Sequence, residues 1–258
     1  MGLTMSNGPL SRQDAVVSNY RIDGPEHLLL FDDFPRRVRA VFADVAVFDT
    51  TRGRLLHETG SLPMLYVPED DVTASVLQPT DYVTHCPYKG DATYWTVQVG
   101  DRTAQNAVWG HQQPLRSAAW LGGYRAVFWD AMDAWYDEEE QVFGHLRDPY
   151  HRVDVREASG RVRVVADGEV LAESTRAKVL SETGLPNRYY LPRDDVHVSL
   201  LPSATATVCP YKGTASYWST PLLDELAWSY EKPLEDSVKI SGYLCFLHDG
   251  LSVQVDRT

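Results

Sequence analysis

Short runs of β-branched and alternating apolar residues, separated by turn residues, recur along most of this chain. Residues 161–165 form one such run, and the dipeptide Asp167-Gly168 separates it from the next, at residues 170–172. Runs of this kind, joined by turn dipeptides, are typical of antiparallel hairpins. Similar runs are found at 92–97, 178–180, 188–191, 196–201 and 243–247. The pattern therefore predicts a mainly β protein built from small antiparallel sheets or barrels.

The pattern occurs twice because the chain contains a duplication. Residues 37–71 align with residues 161–195 at a constant offset of 124, which becomes 123 and then 119 further along and changes only at loops. Matches in the same order indicate two tandem copies of one domain, not a solenoid of short repeats. We therefore predict an N-terminal extension (1–36), a first β domain (37–130) and a second β domain (161–258).

Residues 131–160 have no counterpart in this alignment. Apolar residues in the acidic stretch 131–143 form a patchy stripe that predicts a helix. The sequence HLRDPYHRVDVREASG follows, and its paired charges and aromatics predict an ordered linker, unlike a flexible Gly/Ser linker. Other helical signals are limited to short pieces after Pro114 and Pro233.

Composition narrows the classes of function. The net charge of the 258 residues is -12, which disfavours nucleic acid and anionic membranes as partners. Three cysteines without a CxxC pair argue against a disulfide framework, and free thiols fit a reducing cytoplasm. The chain shows no apolar signal core or membrane span and no metal, phosphate-loop or hydrolase motif. We therefore expect no metal and no cofactor, and the sequence does not indicate an oligomeric state.

The two copies are most alike in CPYKGDATYW at 86–95 and CPYKGTASYW at 209–218, which agree at eight of ten positions. The lysine is informative because only five of the 24 basic residues are Lys, yet Lys89 and Lys212 are both kept. A compact ammonium suits a confined ligand site or an amine whose pKa is lowered. The alternative is a buried ion pair that fixes the fold.

The predicted partners of these lysines are the shared acids Glu58 and Glu182. Each lies in a Glu-Thr-Gly sequence where a predicted strand enters a turn. Gly90 and Gly213, directly after the lysines, are predicted to supply a turn with positive φ.

Other shared positions leave alternatives open. Cys86 and Cys209 could be nucleophiles, but no base is shared beside them, so buried structural thiols are the alternative. His111 aligns with Tyr230 and could be an acid or base near neutral pH, or simply a core histidine.

These motifs, with Arg-Val-Arg, Tyr-x-Pro and Trp-x-Tyr-x-x-Pro, resemble the domain-of-unknown-function family 427, a bacterial and fungal group sometimes labelled nucleotidyltransferase-like. The whole chain resembles its tandem, actinobacterial-type members, with the match over 37–130 and 161–258. The resemblance implies two β-tent or half-barrel domains with short helices, each with a pocket lined by shared residues. Carried over to this chain, the pocket residues are Glu182, Tyr190, Cys209, Tyr211, Lys212, Trp218, Trp228 and Tyr230 in the second copy, and Glu58, Tyr66, Cys86, Tyr88, Lys89, Trp95 and Trp109 in the first. The first copy departs from the pattern at His111.

We therefore predict a cytoplasmic protein with a small-molecule pocket, possibly an enzyme. Lys212, Glu182, Cys209 and Tyr230 would carry acid–base chemistry on a small anionic or planar substrate, and the other pocket residues, with His111, would bind it. The reaction class stays open among lyase, isomerase, hydrolase and transferase. The alternatives are a non-catalytic ligand-binding or sensor module, and a structural protein with a fold-locking Lys–Glu pair.

Overall fold

The computed structural model describes Asn19 and residues 24–257. The chain consists of two compact units, called unit 1 and unit 2 below. The boundary between them in the sequence lies between Leu146 and Arg147. The predicted N-terminal extension, residues 1–36, lies largely outside the described residues. No helix in the described part of the chain is long and apolar enough to cross a membrane.

Two antiparallel sheets form the described part of unit 1. Its strands are β1 (Leu29–Asp33), β2 (Val38–Phe42), β3 (Val45–Thr50), β4 (Arg54–Glu58), β5 (Met64–Pro68), β6 (Leu77–Cys86), β7 (Gly90–Val99), β8 (Arg102–Gly110), β9 (Tyr124–Val127), β10 (Ala134–Asp137) and β11 (Glu140–Val142). Within residues 24–146, the larger sheet has the order β1-β4-β5-β9-β8-β7-β6 and the smaller one β11-β10-β2-β3.

Two sheets also form the described part of unit 2. Its strands are β12 (Val153–Glu157), β13 (Arg161–Ala166), β14 (Glu169–Ser174), β15 (Lys178–Glu182), β16 (Arg188–Leu191), β17 (Leu201–Cys209), β18 (Gly213–Ser219), β19 (Ala227–Tyr230), β20 (Leu244–Phe246) and β21 (Ser252–Asp256). Within residues 147–257, the larger sheet has the order β12-β15-β16-β20-β19-β18-β17 and the smaller one β14-β13-β21.

The two large sheets correspond strand by strand, and even their registers agree. Leu56 of β4 lies opposite Met64 of β5, and Leu180 of β15 lies opposite Arg188 of β16. The predicted mainly β fold and the predicted tandem duplication are confirmed.

The described helices are all short 3-10 segments. They are Glu69–Asp71, Ala74–Val76, Arg116–Leu121, Trp129–Ala131, Arg193–Asp195 and Glu235–Ile240. The segments after Pro114 and Pro233 confirm the short helical pieces predicted there.

The acidic helix predicted over 131–143 is wrong. This stretch forms the hairpin of β10 and β11, and β10 pairs with β2. Trp135 is buried and stacks on Trp129 with ring centroids 4.6 Å apart, while Glu138 turns the chain with φ +55°. The apolar spacing in this stretch reflects one buried tryptophan in a hairpin, not the stripe of a helix. The predicted linker also contains an integral strand, because β12 pairs with β15 in the large sheet of unit 2.

Each large sheet buries apolar side chains on both faces. One face packs against the small sheet and forms the larger core with it. In unit 2 this larger core includes Val162 and Leu226. The opposite face carries a second cluster that includes Leu180, Tyr190 and Cys245 in unit 2. Burying such side chains contributes about 1.5–3 kcal/mol each. This second face, called the outer face below, contains the candidate site.

Candidate functional site

The Cys-Pro-Tyr-Lys-Gly sequence is a hairpin turn that presents the lysine. In unit 2 it joins β17 to β18, and the Lys212 amide donates to the Cys209 carbonyl at 3.3 Å. Pro210 has the fixed φ that suits the second position of such a turn, and Gly213 closes it with φ +98°. Gly90 has φ +95° at the same place in unit 1, so the predicted positive-φ turns are confirmed.

Each lysine forms an ion pair with the glutamate predicted as its partner. The Lys212 Nζ donates to Glu182 Oε1 at 2.7 Å and to Oε2 at 2.6 Å. The Lys89 Nζ donates to Glu58 Oε2 at 2.5 Å. The Lys212 and Glu182 side chains are only 10% and 11% exposed. The compact ammonium thus ends in a confined space, which is a reason for Lys instead of Arg at this position.

A histidine completes each pair. The His151 Nε2 lies 3.0 Å from Glu182 Oε1, and the His27 Nε2 lies 2.9 Å from Glu58 Oε1. We call His27, Glu58 and Lys89 the first triad, and His151, Glu182 and Lys212 the second triad.

Sequence analysis missed both histidines. Pro25-x-His27 and Pro149-x-His151 match at the same offset of 124 as the rest of the first alignment block. An alignment that begins at residue 37 and treats residues 131–160 as unique does not include this match.

The threonine of Glu-Thr-Gly fastens the histidine segment to the sheet. The Thr183 Oγ1 accepts from the Arg152 amide at 2.9 Å, and the Thr59 Oγ1 accepts from the Leu28 amide at 2.9 Å. These amides directly follow the two histidines. The motif therefore holds the histidine segment through both its acid and its hydroxyl.

The triads keep their carboxylates ionised. Burial alone would raise the pKa of Glu182, but the hydrogen bond with His151 and the charge and hydrogen bonds of Lys212 outweigh it and hold that pKa below its ordinary value. The pKa of Glu58 is also lowered, because Lys89 and His27 outweigh the effect of burial there. Each glutamate is therefore a carboxylate at neutral pH.

A row of side chains crosses the outer face of unit 2. Tyr190 lies opposite Cys245, Cys245 opposite Trp228, and Trp228 opposite Tyr217. Directly opposed residues of antiparallel strands project from the same face. The Trp228 Nε1 donates to the Tyr190 hydroxyl at 3.2 Å, which orients the indole.

This row borders an open depression of about 390 Å³ in unit 2. It is lined by Leu180, Glu182, Leu185, Arg188, Tyr190, Lys212, Tyr217, Glu225, Trp228, Tyr230 and Leu247. Five of these were singled out from the sequence, namely Glu182, Tyr190, Lys212, Trp228 and Tyr230. Arg188 and Tyr217 were not.

Three predicted residues of unit 2 do not line the depression. Cys209 is half-buried at the end of β17. The Tyr211 hydroxyl accepts from the Asp148 amide at 2.6 Å, and its ring lies 4.4 Å from that of His151. Tyr211 thus packs against His151 of the second triad and lies outside the depression.

Trp218 projects from the other face of the sheet. Trp218 packs against the larger core, and the Arg193 guanidinium lies over its ring, 4.2 Å from the ring centroid. Neighbouring residues of a strand point to opposite faces, so Tyr217 faces the depression and Trp218 does not. The assignment of Trp218 to the site is corrected accordingly. Trp95 of unit 1 likewise packs in the larger core, with Arg125 4.3 Å from its ring.

The outer face of unit 1 is filled differently. Tyr66 and Trp109 meet edge to face at 6.4 Å, and Phe128 tilts against Trp109 with ring centroids 4.3 Å apart. Leu247, a smaller side chain, occupies the equivalent position in unit 2.

The remaining predicted residues of unit 1 surround its triad. Tyr88 stacks on His27 with ring centroids 3.6 Å apart, and Cys86 is half-buried at the end of β6. His111 is buried, and its Nδ1 lies 3.2 Å from the Asp91 carbonyl oxygen. Burial lowers the pKa of His111, so this ring is neutral at neutral pH.

Burial also fixes the protonation of the phenols and of one thiol. It raises the pKa of Tyr190 and Tyr230 far above neutrality. It raises the pKa of Cys245 to about 12. These groups stay protonated at neutral pH. Among the described residues, no three His, Cys, Asp or Glu side chains are grouped so that they could hold a metal ion.

In a comparison with known families, the family model described as "Domain of unknown function (DUF427)" matches residues 31–138 and 154–257. The chain belongs to the DUF427 family. The predicted resemblance is therefore confirmed, and this DUF427 protein carries the domain twice. Both matched segments begin after the triad histidines, so the match does not include His27 or His151. No curated protein matches the chain.

Proposed function

We propose that this DUF427 protein is a small-molecule binding module, and that its second unit receives a planar ligand in the depression beside Lys212. The observation that carries the proposal is the aromatic row of Tyr217, Trp228 and Tyr190 along an open depression with polar groups at its margin. Ligand sites typically combine apolar or aromatic walls with a few fixed polar groups, in volumes of about 300–1,000 Å³.

The protonation states favour binding over acid–base catalysis. A general acid or base works best when its pKa is close to the operating pH. Here the pKa of Glu182 is lowered and that of Tyr230 is raised, so neither is tuned towards neutrality. Cys209, the fourth residue of the predicted catalytic set, does not line the depression.

A second candidate role, locking the fold, is favoured for the triads themselves. Both units keep the triad, although Met64, His111 and Phe128 replace Arg188, Tyr230 and Leu247 on the outer face. On this proposal, the triads that both units share have a structural role, and the outer-face residues that differ between the units determine ligand binding. Each triad joins a strand end, a hairpin turn and the segment that leads into an edge strand.

The proposed partner is a small molecule, with no role for nucleic acid or a membrane surface, because the net charge of -12 repels polyanions. We place the protein in the cytoplasm, since Cys86, Cys209 and Cys245 are free thiols and such thiols suit a reducing compartment.

The test is a two-dimensional NMR titration with benzamide, a neutral planar probe, that follows the indole N–H signals. The Trp228 signal, assigned with Trp228→Phe, should shift and saturate, while the Trp109 signal of unit 1 serves as the internal control. Tyr230→His, which installs the unit 1 residue, should weaken binding. An unmoved Trp228 signal at millimolar benzamide would overturn the proposal.

A further inference from the structure

Arg188 of unit 2 differs from most arginines of that unit in having no carboxylate partner among the described residues. Of the nine arginines in residues 147–257, seven form ion pairs with Asp or Glu. Arg257, near the end of the chain, and Arg188 are the two others. Among the described residues, no side-chain hydrogen bond or ion pair holds the Arg188 guanidinium. In a chain of net charge -12, an arginine without an acidic partner is unusual.

The position of Arg188 is fixed by the sheet. It begins β16, lies opposite Leu180 and precedes Tyr190 by two residues, so it projects from the outer face. It is half-buried and lines the depression. Met64 occupies the identical register position of unit 1, opposite Leu56. At this register position the sheet thus places a cation in unit 2 and an uncharged side chain in unit 1.

Of the other charged side chains that line the depression, Lys212 and Glu182 are paired with each other, whereas Glu225 is held by neutral hydroxyls and keeps its negative charge. Lys212 and Glu182 neutralise one another. The Glu225 carboxylate accepts hydrogen bonds from the Ser203 hydroxyl at 2.7 Å and from the Thr205 hydroxyl. Arg188 is therefore the cation of the depression that has no carboxylate within ion-pair distance among the described residues.

Building on the proposed function, we propose that Arg188 anchors the carboxylate of a small aromatic acid in the depression of unit 2. A guanidinium presents a planar fork that matches a carboxylate with two parallel hydrogen bonds. Trp228 and Tyr217, next to it on the same face, offer ring surfaces for a planar ligand. This assigns anion binding to Arg188 and not to Lys212, whose ammonium is paired with Glu182.

The experiment compares benzoate with benzamide, which has the same shape without the charge, by isothermal titration calorimetry on the full chain. Benzoate should bind at least about tenfold more tightly than benzamide, because a charge-assisted bidentate pair adds on the order of 1.4 kcal/mol or more. Arg188→Met, which installs the unit 1 residue, should lower the benzoate affinity at least about tenfold and abolish the preference for benzoate over benzamide. Arg188→Lys should restore part of the preference.

Two outcomes would overturn the inference, and they differ in what they say about the proposed function. Equal binding of benzoate and benzamide, or a benzoate preference that survives Arg188→Met, would remove Arg188 from the role while the depression remained a ligand site. Absence of binding by both probes would remove the ligand site as well. The thermal unfolding temperature of each variant is measured to separate lost affinity from lost folding. Met64→Leu, a mild change at the equivalent position of unit 1, is the control.

Discussion

Lys212 donates hydrogen bonds to both carboxylate oxygens of Glu182, at 2.7 and 2.6 Å, with both side chains about nine-tenths buried. His151 shares one of those oxygens. The arrangement ties together three parts of unit 2 that are distant in sequence, and it is repeated by Lys89, Glu58 and His27 in unit 1.

Removing the lysine should destabilise the unit that contains it. Lys212→Met keeps the aliphatic bulk but leaves the Glu182 carboxylate buried with His151 alone, so we expect a loss of about 3 kcal/mol in the free energy of unfolding. Urea denaturation measures the loss, and hydrogen exchange over residues 147–257 assigns it to unit 2. The double variant Lys212→Met/Glu182→Gln should recover part of it, since the stranded charge is gone. A loss under about 0.5 kcal/mol in the single variant would contradict a structural triad.

The triad should also make stability depend on pH in the acid range. The folded-state pKa of Glu182 lies below its ordinary value of 4.5, so its contribution is complete above that pH and is lost as the pH falls through the lower folded pKa. Other paired carboxylates titrate in the same range, so the informative comparison is with Glu182→Gln. Its free energy of unfolding should fall less steeply below pH 4.5 than that of the parent. Parallel curves for the two proteins would show that Glu182 contributes nothing to the pH dependence.

The three thiols should differ in reactivity. The buried Cys245 has its pKa raised to about 12, whereas Cys86 and Cys209 are half-buried at hairpin ends. A thiolate is the reactive form, so alkylation of the native protein at pH 8 should label Cys86 and Cys209 and leave Cys245 unmodified. Mass spectrometry of peptides gives the order, and labelling in urea is the control that Cys245 can react. Early modification of Cys245 would contradict its packing in the outer-face cluster.

Glycine at the end of the Cys-Pro-Tyr-Lys-Gly turn should be hard to replace. Gly213 has φ +98°, and a Cβ there would lie 3.2 Å from the Lys232 carbonyl oxygen. Gly168 also has a positive φ, of +84°, but a Cβ there meets nothing within 4 Å. We expect Gly168→Ala to cost about 1 kcal/mol and Gly213→Ala about 2–3 kcal/mol, because only the second adds a steric conflict to backbone strain. Chemical denaturation compares the two, and equal costs would argue against a tightly built turn.

The sequence predicted those features that local patterns determine. Strand-length apolar runs and an almost constant offset revealed the mainly β duplication, and the rarity of lysine led to the pairs with Glu58 and Glu182. These signals are local or repeated, so they can be recognised without knowing how strands pair.

What could not be predicted depends on sheet register. Tyr217 and Trp218 are neighbours in sequence, and only the pairing of β18 with β19 shows which one faces the depression. Arg188 was overlooked for a related reason. Comparison of the copies favoured positions that are identical, whereas Arg188 is informative because Met64 differs from it. The acidic stretch 131–143 was misassigned because pairing with β2, not local periodicity, decides its structure.

The account is tested most directly by a crystal structure of the protein grown with benzoate at a concentration that saturates it in solution. We predict benzoate in the depression of unit 2, with its carboxylate on the Arg188 guanidinium and its ring beside Trp228. The face around Met64 in unit 1 should hold none. A depression that contains only solvent, with benzoate bound elsewhere on the molecule, would contradict the claim that unit 2 is a ligand-binding unit.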